Sequence, residues 1–397
     1  MVAELALLEQ LNNPQNDLKY IHVAGTNGKG STVGYIASIT EAAGIKTGRF
    51  TSPFLHTYNE MFMVDGKMIS NETFARLFSI VKPYYDKLTK ENIFPSEYEI
   101  LISMAFLYFK EMECQLVVLE VAMGGRVDVT NVIPSPMVTV FTPISYDHMS
   151  ILGHTLSEIA TEKAGIIKSG TVVVTASQEP EVKNVLEAFS SKNGVGIVFA
   201  GKAKATDFDL SGQSFSYEGR KYFTSMLGNY QIENAAVALK VAEVLNDLGY
   251  SISPENMLQG ISNMRWFGRF TLLSNDPPVI IDGGHNRQGA RVLRESLEKY
   301  FPNTEITFVL GILEDKEIDI MLAELMPIAK RVYTIAVPSP RTMQPEKLAE
   351  LIRNYEVEAI AIKNKFDLKE IYNDSQCICI AGSLYLIDKF TNQIKIC

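Results

Sequence analysis

Apolar residues in the first half of the chain fall into short unbroken runs, and each run stops at a glycine or a proline. Residues 18–24 (LKYIHVA) halt at Gly25, and residues 31–43 then carry apolar positions at helical spacing as far as Gly44. That order predicts a strand, a glycine loop and a helix. The spacing predicts further helices over 73–87, 97–111 and 156–166. It also predicts buried strands over 114–121, ending at Met123-Gly124-Gly125, and over 137–141, ending at Thr142-Pro143. Strands that alternate with helices imply an α/β fold with a doubly wound, mostly parallel sheet. Ligands of such sheets collect beyond the carboxyl ends of the strands, which is where Gly25, Glu120 and Thr142 fall.

The pattern changes over 201–225, where short alternating stretches flank Glu218-Gly219 and predict a small antiparallel insert. A clear helix follows over 234–248. Breaks at Gly268 and Asp276-Pro277-Pro278 precede a restart of the alternation, with strands predicted over 279–281, 306–310, 331–336, 359–362 and 377–381. The chain of 397 residues exceeds what one core usually organises. The reading is a first domain over 1–266 and a smaller, Rossmann-like α/β domain over 267–397, with no internal repeat and no low-complexity segment.

Composition narrows the function. With 46% hydrophobic and 21% charged residues the chain is an ordinary globular one. Thirty-seven basic against 46 acidic side chains leave −9, which argues against a nucleic-acid surface and leaves room for a local anion pocket. No apolar run is long enough to span a membrane, and no basic segment precedes the first apolar residues, so the expected location is the cytoplasm. Cys114, Cys377, Cys379 and Cys397 have poor spacing for a mutual disulfide or a zinc set and read as reduced structural thiols. The absence of heptads makes a monomer the default.

The chemistry concentrates in Gly25-Thr26-Asn27-Gly28-Lys29-Gly30-Ser31-Thr32, between the predicted strand and helix. Glycines let backbone N–H groups face phosphate oxygens, the helix start favours negative charge, and Lys29 adds a cation. The usual phosphate-loop expression wants Ser or Thr directly after the lysine, whereas Gly30 intervenes here. Glu120, ending a predicted strand, and His148, following one, are a plausible partial shell for Mg²⁺, although without the glycine loop a capping glutamate and a satisfied histidine are the favoured account of the pair. Lys163, between Glu162 and an apolar run, reads on its own as a surface ion pair. Asn234 reads as a helix cap or an adenine contact, and Arg269 as a surface charge or a phosphate contact. His22, His56 and His154 have no nameable partner and are taken as structural, and Met61-Phe62-Met63 as core packing.

The run YIHVAGTNGKGST over 20–32 resembles the signature of the folylpolyglutamate synthase and dihydrofolate synthase family, a branch of the Mur-type ligases. LEVAMGGRVDVTN over 119–131 is similar to its second block. The resemblance continues in order through Asp147-His148 and Leu152-Gly153, Glu162 to Ile166, Tyr230-Gln231 with Asn234-Ala235, and Trp266 with Gly268-Arg269. It ends with Asp282-Gly283-Gly284-His285-Asn286, Gly311 with Asp315-Lys316, and Gly382 to Tyr385.

The resemblance implies an ATP-dependent ligase that joins L-glutamate to the carboxylate of a folate, and also of dihydropteroate, through an acyl phosphate. It places ATP at Asn27, Gly28, Lys29, Gly30, Ser31, Asn234, Arg269 and Asp282, and Mg²⁺ at Ser52, Glu120 and His148. It implies a carbamate on Lys163, with Lys29 and His285 as the other catalytic residues. The pterin side falls on Ser96, Glu97, Tyr98, Glu99, Val127, Asp128 and Val129, against a reading of these as ordinary turn and helix-start residues. Glutamate falls on His285 and Ser383. The first domain is then the ATP-binding one and the second the glutamate-ligase one, with closure near 266–278 expected to assemble the site.

Departures are Phe54 and Tyr230 where relatives usually carry His, Phe267 and Arg287 where they carry Pro, and Gly284 where they carry Ala. Only 24 residues precede the glycine loop, so a segment that helps many relatives hold dihydropteroate is expected to be missing. Two alternatives stay open: another Mur-type amino-acid ligase, and a nucleotide-binding regulator that forms no amide.

Overall fold

The computed structural model describes residues 2–363 and 366–391, so Cys397 lies outside the described residues. They divide into two compact units. The first comprises Met1–Lys204, Phe215–Phe223 and Ile232–Met264; the second comprises Ala205–Ser214, Thr224–Gln231 and Arg265–Cys397. Nothing in the hydrophobic pattern signalled that 205–214 and 224–231 pack with the second unit.

The first unit is built on an eight-stranded sheet. Its strands are β1 (Tyr20–Ala24), β2 (Thr47–Phe50), β3 (Phe62–Val64), β4 (Lys67–Met68), β5 (Leu116–Glu120), β6 (Val138–Phe141), β7 (Val172–Thr175) and β8 (Ile197–Phe199), in the order β4-β3-β2-β5-β1-β6-β7-β8. From β2 to β8 the neighbours are parallel, whereas β3 and β4 run antiparallel at one edge. Every residue of β1, β5 and β6 is buried, as expected of central parallel strands covered on both faces. The register Val23 to Glu120, Ala24 to Phe141 and Phe50 to Leu119 brings the carboxyl ends of β2, β5, β1 and β6 to one edge. Four connecting loops therefore start side by side.

Helix Lys29–Ala42 covers this sheet and is held by helix Pro254–Asn263. The two backbones meet at Gly260, where an added Cβ would lie 2.4 Å from Ile39 Cα. Ser38 Oγ donates to Gly260 O at 2.7 Å, and Asn256 Nδ2 to Ala42 O at 2.8 Å. Met61 and Phe62 are buried core residues, in agreement with the packing role expected of that stretch.

A separate sheet holds β9 (Lys204–Asp209), β10 (Gly212–Tyr217) and β11 (Arg220–Thr224), in the order β11-β10-β9. Positive φ at both Glu218 and Gly219 makes the turn between β10 and β11 the tight kind that suits a twisted hairpin.

The second unit carries β12 (Thr271–Asn275), β13 (Pro278–Asp282), β14 (Ile306–Leu310), β15 (Ala329–Thr334), β16 (Glu358–Ala361) and β17 (Cys377–Ala381), in the order β12-β13-β17-β14-β15-β16. All pairings are parallel except the β12–β13 hairpin. Strand β12 escaped the sequence pattern because its residues are mostly half-exposed and alternate weakly.

Cys114, Cys377 and Cys379 are buried and free, and burial pushes the thiols of Cys114 and Cys377 up to about 12, so they stay protonated. Among the described residues no helix is long and apolar enough to cross a membrane.

One buried carboxyl group breaks the rule that charges stay wet. Helix Val2–Gln10 inserts Leu7 and Leu8 into the core and takes Glu4 with them, with both carboxyl oxygens buried and unpartnered among the described residues. Burial, reinforced by Glu99, pushes Glu4 up to about 9. A folded-state pKa above the unfolded one means that stability is lost as pH rises from about 4.5 to about 9. We expect Glu4→Leu to stabilise the protein by about 1–3 kcal/mol at pH 8. Urea unfolding at pH 8 and at pH 4.5 checks this, and the gain should shrink at the lower pH.

Candidate active site

Gly25 ends β1 with φ +147°, and a Cβ added there would lie 1.9 Å from Thr142 Oγ1, at the end of β6. Only glycine lets the two strand ends approach so closely. Thr26 continues the lock: its N–H donates to Pro143 O at 3.0 Å, its hydroxyl donates to Ser145 O at 3.0 Å, and Ser145 N–H donates back to that hydroxyl at 3.0 Å. Gly28, at φ +83°, begins helix Lys29–Ala42 with no side-chain cap. The amino end of this 14-residue helix therefore keeps backbone N–H groups and a positive dipole end for an anion. A Cβ on Gly28 would lie 2.3 Å from Asn234 Oδ1, so Asn234, itself buried, sits directly against the loop. Ser31 is also buried, and Gly30 follows Lys29 into the first helical turn.

Two lysines converge on one loop carbonyl. Lys29 Nζ donates to Gly25 O at 3.3 Å and to Thr26 O at 3.1 Å, while Lys163 Nζ donates to Gly25 O at 2.8 Å. Lys163 is buried, which overturns its reading as a surface ion pair. Its neighbour in sequence, Glu162, binds Arg126, with Arg126 Nη2 2.9 Å from Glu162 Oε1. Burial, with the Lys29 ammonium next in effect, pulls the Lys163 amine down to about 7 against the opposing pull of Asp147 and Asp128.

Glu120 closes β5, only 5% exposed, and its carboxylate accepts the Ser52 N–H at 3.3 Å. Ser52 Oγ in turn accepts the Tyr98 hydroxyl at 3.0 Å. His148 begins the short helix Met149–Leu152 with φ +50°, and its N–H donates to Asp147 Oδ1 at 2.9 Å; its side chain is partly exposed. Among the described residues no group of three or more His, Cys, Asp or Glu side chains is set to hold a metal. A buried carboxylate and a hydroxyl beside a phosphate loop are nonetheless hard oxygen donors of the kind Mg²⁺ takes, with waters and phosphate completing its shell. The residues fit that ion.

In the segment that follows β5, Asp128 is buried. Its Oδ1 accepts the Thr130 N–H at 2.9 Å and the Thr130 hydroxyl at 2.6 Å, and its Oδ2 accepts the Met123 N–H at 2.8 Å. Burial raises its pKa, and these donors, together with Lys29, oppose the rise. Val127 is exposed, whereas Val129 packs on the core. Ser96 and Glu99 form the capping box of helix Glu97–Glu111, with Ser96 N–H donating to Glu99 Oε2 at 2.7 Å, so both do helix-start work. Glu97 is exposed and accepts the Tyr58 hydroxyl.

In the second unit, Asp282 and Ala381 are paired at the carboxyl ends of β13 and β17, which sets Asp282 beside the Gly382-Ser383 turn. Asp282 Oδ1 accepts Gly284 N–H at 2.7 Å; Oδ2 accepts Phe270 N–H at 2.8 Å and the Tyr230 hydroxyl at 3.0 Å. Tyr230, a departure from the family pattern, thus serves as a donor to a buried carboxylate. Burial raises the Asp282 pKa, and Arg269 is the strongest opposing influence. A Cβ on Gly284 would lie 2.8 Å from Asp282 Oδ1, so the alanine usual in relatives would crowd that carboxylate here. His285 Nδ1 lies 2.9 Å from Gly283 O; a carbonyl only accepts, so Nδ1 carries a hydrogen. Ser383 is buried.

The predicted site residues therefore fall into two sets, each at the carboxyl edge of its own sheet. Sequence reasoning missed the partner of His22, Thr130, because the two lie 108 positions apart and meet only across the sheet.

The chain matches the Mur ligase middle domain over residues 23–242 and the Mur ligase glutamate ligase domain over residues 268–384. It is 36% identical to the dihydrofolate synthase/folylpolyglutamate synthase of Bacillus subtilis, covering 98% of this chain and 93% of that one. A folylpolyglutamate synthase of Mycobacterium tuberculosis, solved with ADP and AMPPCP, superposes with a TM-score of 0.90 at 30% identity, covering 98% of this chain and 94% of the other. A folylpolyglutamate synthase–AMPPCP–folate complex superposes with a TM-score of 0.84 at 30% identity, over 98% and 93% of the two chains.

The contact at Gly25 yields a direct prediction. Gly25→Ala should destabilise the protein by about 2–4 kcal/mol through overlap and backbone strain. Adding Thr142→Ala, which removes the hydroxyl in the way, should recover part of that loss in a thermal melt.

Proposed function

Because this chain belongs to the Mur ligase family and carries both its middle domain and its glutamate ligase domain, we propose that it joins L-glutamate to the carboxylate of a folate at the expense of ATP, and to dihydropteroate by the same chemistry. The observation that carries this reading is the glycine loop at Gly25–Thr32, with Lys29 and Lys163 on one carbonyl and an uncapped helix start beside them.

A carboxylate does not condense with an amine in water, because its oxygen is a poor leaving group. The remedy is phosphorylation. A carboxylate oxygen attacks the γ-phosphorus of ATP, the bond to the β-phosphate oxygen breaks, and ADP leaves. The amino group of glutamate then attacks the carbonyl carbon of the acyl phosphate; inorganic phosphate departs with the C–O electron pair, and the nitrogen releases a proton. Both steps gather negative charge, so fixed cations and N–H dipoles do most of the work.

In this reading Asn27 to Ser31 wrap the phosphates, Lys29 turns from its own loop carbonyls to the β- and γ-phosphates, and Asn234 lies at the base. Ser52, Glu120 and His148 would hold Mg²⁺, which when bound neutralises phosphate charge. Arg269 and Asp282 take part in nucleotide binding. His285 and Ser383 receive the incoming glutamate. Asp128 and Val127, with the 96–99 turn, face the pterin, and Val129 anchors that segment to the core. Lys163, a buried amine whose pKa is pulled down to about 7, takes up CO₂ in its neutral form: its nitrogen lone pair forms the N–C bond and the nitrogen releases one proton, converting the neutral amine into an anion.

Phosphate release by the purified protein should require ATP, L-glutamate and a pterin acid together, with tetrahydrofolate and dihydropteroate assayed separately. Release without glutamate would favour a plain nucleotide hydrolase. Lys29→Ala should lower kcat on the order of 10²–10³-fold. Equilibration with ¹³C-bicarbonate should give one carbamate carbon resonance that Lys163→Arg lacks. A spectrum identical for both proteins would remove the carbamate.

A further inference from the structure

His22 stands in the middle of β1, fully buried, with its backbone registered to Leu119 of β5 on one side and Thr139 of β6 on the other. Its Nε2 lies 2.8 Å from Thr130 Oγ. That hydroxyl donates its only hydrogen to Asp128 Oδ1 at 2.6 Å. The hydroxyl must therefore accept from His22, which places the imidazole hydrogen on Nε2 and leaves Nδ1 bare. Nδ1 is indeed buried with no hydrogen-bond partner among the described residues. An unsatisfied acceptor at the centre of a sheet is a liability that a leucine of similar size would avoid.

The chain of donors ends on a carboxylate with little freedom left. Oδ1 of Asp128 accepts two hydrogens from Thr130, and Oδ2 accepts one from Met123 N–H, so three of four lone-pair positions are used. The fourth is on Oδ2. The donor at the other end cannot drift, because β1 is held by a ladder on each side. Burial and the Lys168 ammonium keep the imidazole uncharged, so the donor is present throughout the neutral range.

We propose that His22 is a positioning residue for the pterin subsite: through Thr130 it orients Asp128 so that the remaining Oδ2 lone pair receives an N–H of the aminopyrimidinone ring. This rests on the ligase reading above, and on Asp128 facing the pterin within it. His22 touches no substrate itself.

Steady-state kinetics of four variants test the proposal. His22→Leu and Thr130→Val should each raise KM for the pterin acid about tenfold, with kcat and KM for ATP close to wild type. His22→Gln, which can present a side-chain N–H to Thr130, should recover most of the loss, and the double variant should be no worse than either single one. A merely structural His22 would behave differently. It lies three residues before Gly25, so damage to β1 would reach the phosphate loop and raise KM for ATP. Equal effects on both substrates, or no effect on the pterin acid, would overturn the proposal. If the variants fail to fold, ¹⁵N-histidine spectra of the wild-type protein decide instead. They should show a buried ring with hydrogen on Nε2 whose shift moves when dihydropteroate is added; hydrogen on Nδ1, or a ring blind to the pterin, would refute it. A wild-type protein that turns over no pterin acid removes the ligase reading, whereas an active one with an unaffected His22→Leu removes only this inference.

Discussion

The close passage of Gly25 against Thr142 is the constraint on which the first unit's chemistry depends. It is possible because Gly25 has no side chain and the φ of +147° that β1 needs to turn away from β6. The turn points the Gly25 carbonyl at Lys29 and Lys163 and sends the chain through Gly28 into an uncapped helix. In the structure, the positive groups that would meet a triphosphate are occupied by the loop's own carbonyls. Phosphate binding thus exchanges one set of hydrogen bonds for another, and the loop need not be held open by repulsion alone.

The same edge of the sheet sorts charges by burial. Lys163 and Asp128 are both sunk into the protein and pushed by burial toward their neutral forms, Lys163 partly restrained by Asp147 and Asp128, and Asp128 by its hydrogen-bond donors and Lys29. Glu120, at the end of β5, accepts the Ser52 N–H with one carboxylate oxygen. A chain of net charge −9 can therefore present a locally positive cradle for one anionic substrate, because the cradle is made of two lysines and backbone dipoles rather than of overall charge.

Much of this was legible in the order of residues. The glycine loop, the buried strands ending at Glu120 and Thr142, helix Glu97–Glu111 and strand Ile306–Leu310 all follow from local periodicity and punctuation, which act over a few residues. What depends on distant packing was not legible. Lys163 reads as a surface residue because it follows a glutamate on a helix, yet Gly125 packs against its backbone and the Gly25 carbonyl receives its amine. His22 looks like a filler of β1 because Thr130 belongs to another element. Segments 205–214 and 224–231 carry no mark that assigns them to the second unit. Ser96 and Glu99 invite a binding role by their motif, and the structure gives them a capping role that local spacing also foretells.

The central claim is that the glycine–lysine loop holds ATP so that its terminal phosphoryl passes to an organic carboxylate. Tetrahydrofolate or dihydropteroate labelled with ¹⁸O in the reacting carboxylate tests this most directly, with ATP and L-glutamate supplied and the released phosphate analysed by mass. The account predicts one ¹⁸O atom in each phosphate released during amide formation. Amide formed with unlabelled phosphate would contradict it, because the carboxylate oxygen would then never have been bonded to phosphorus.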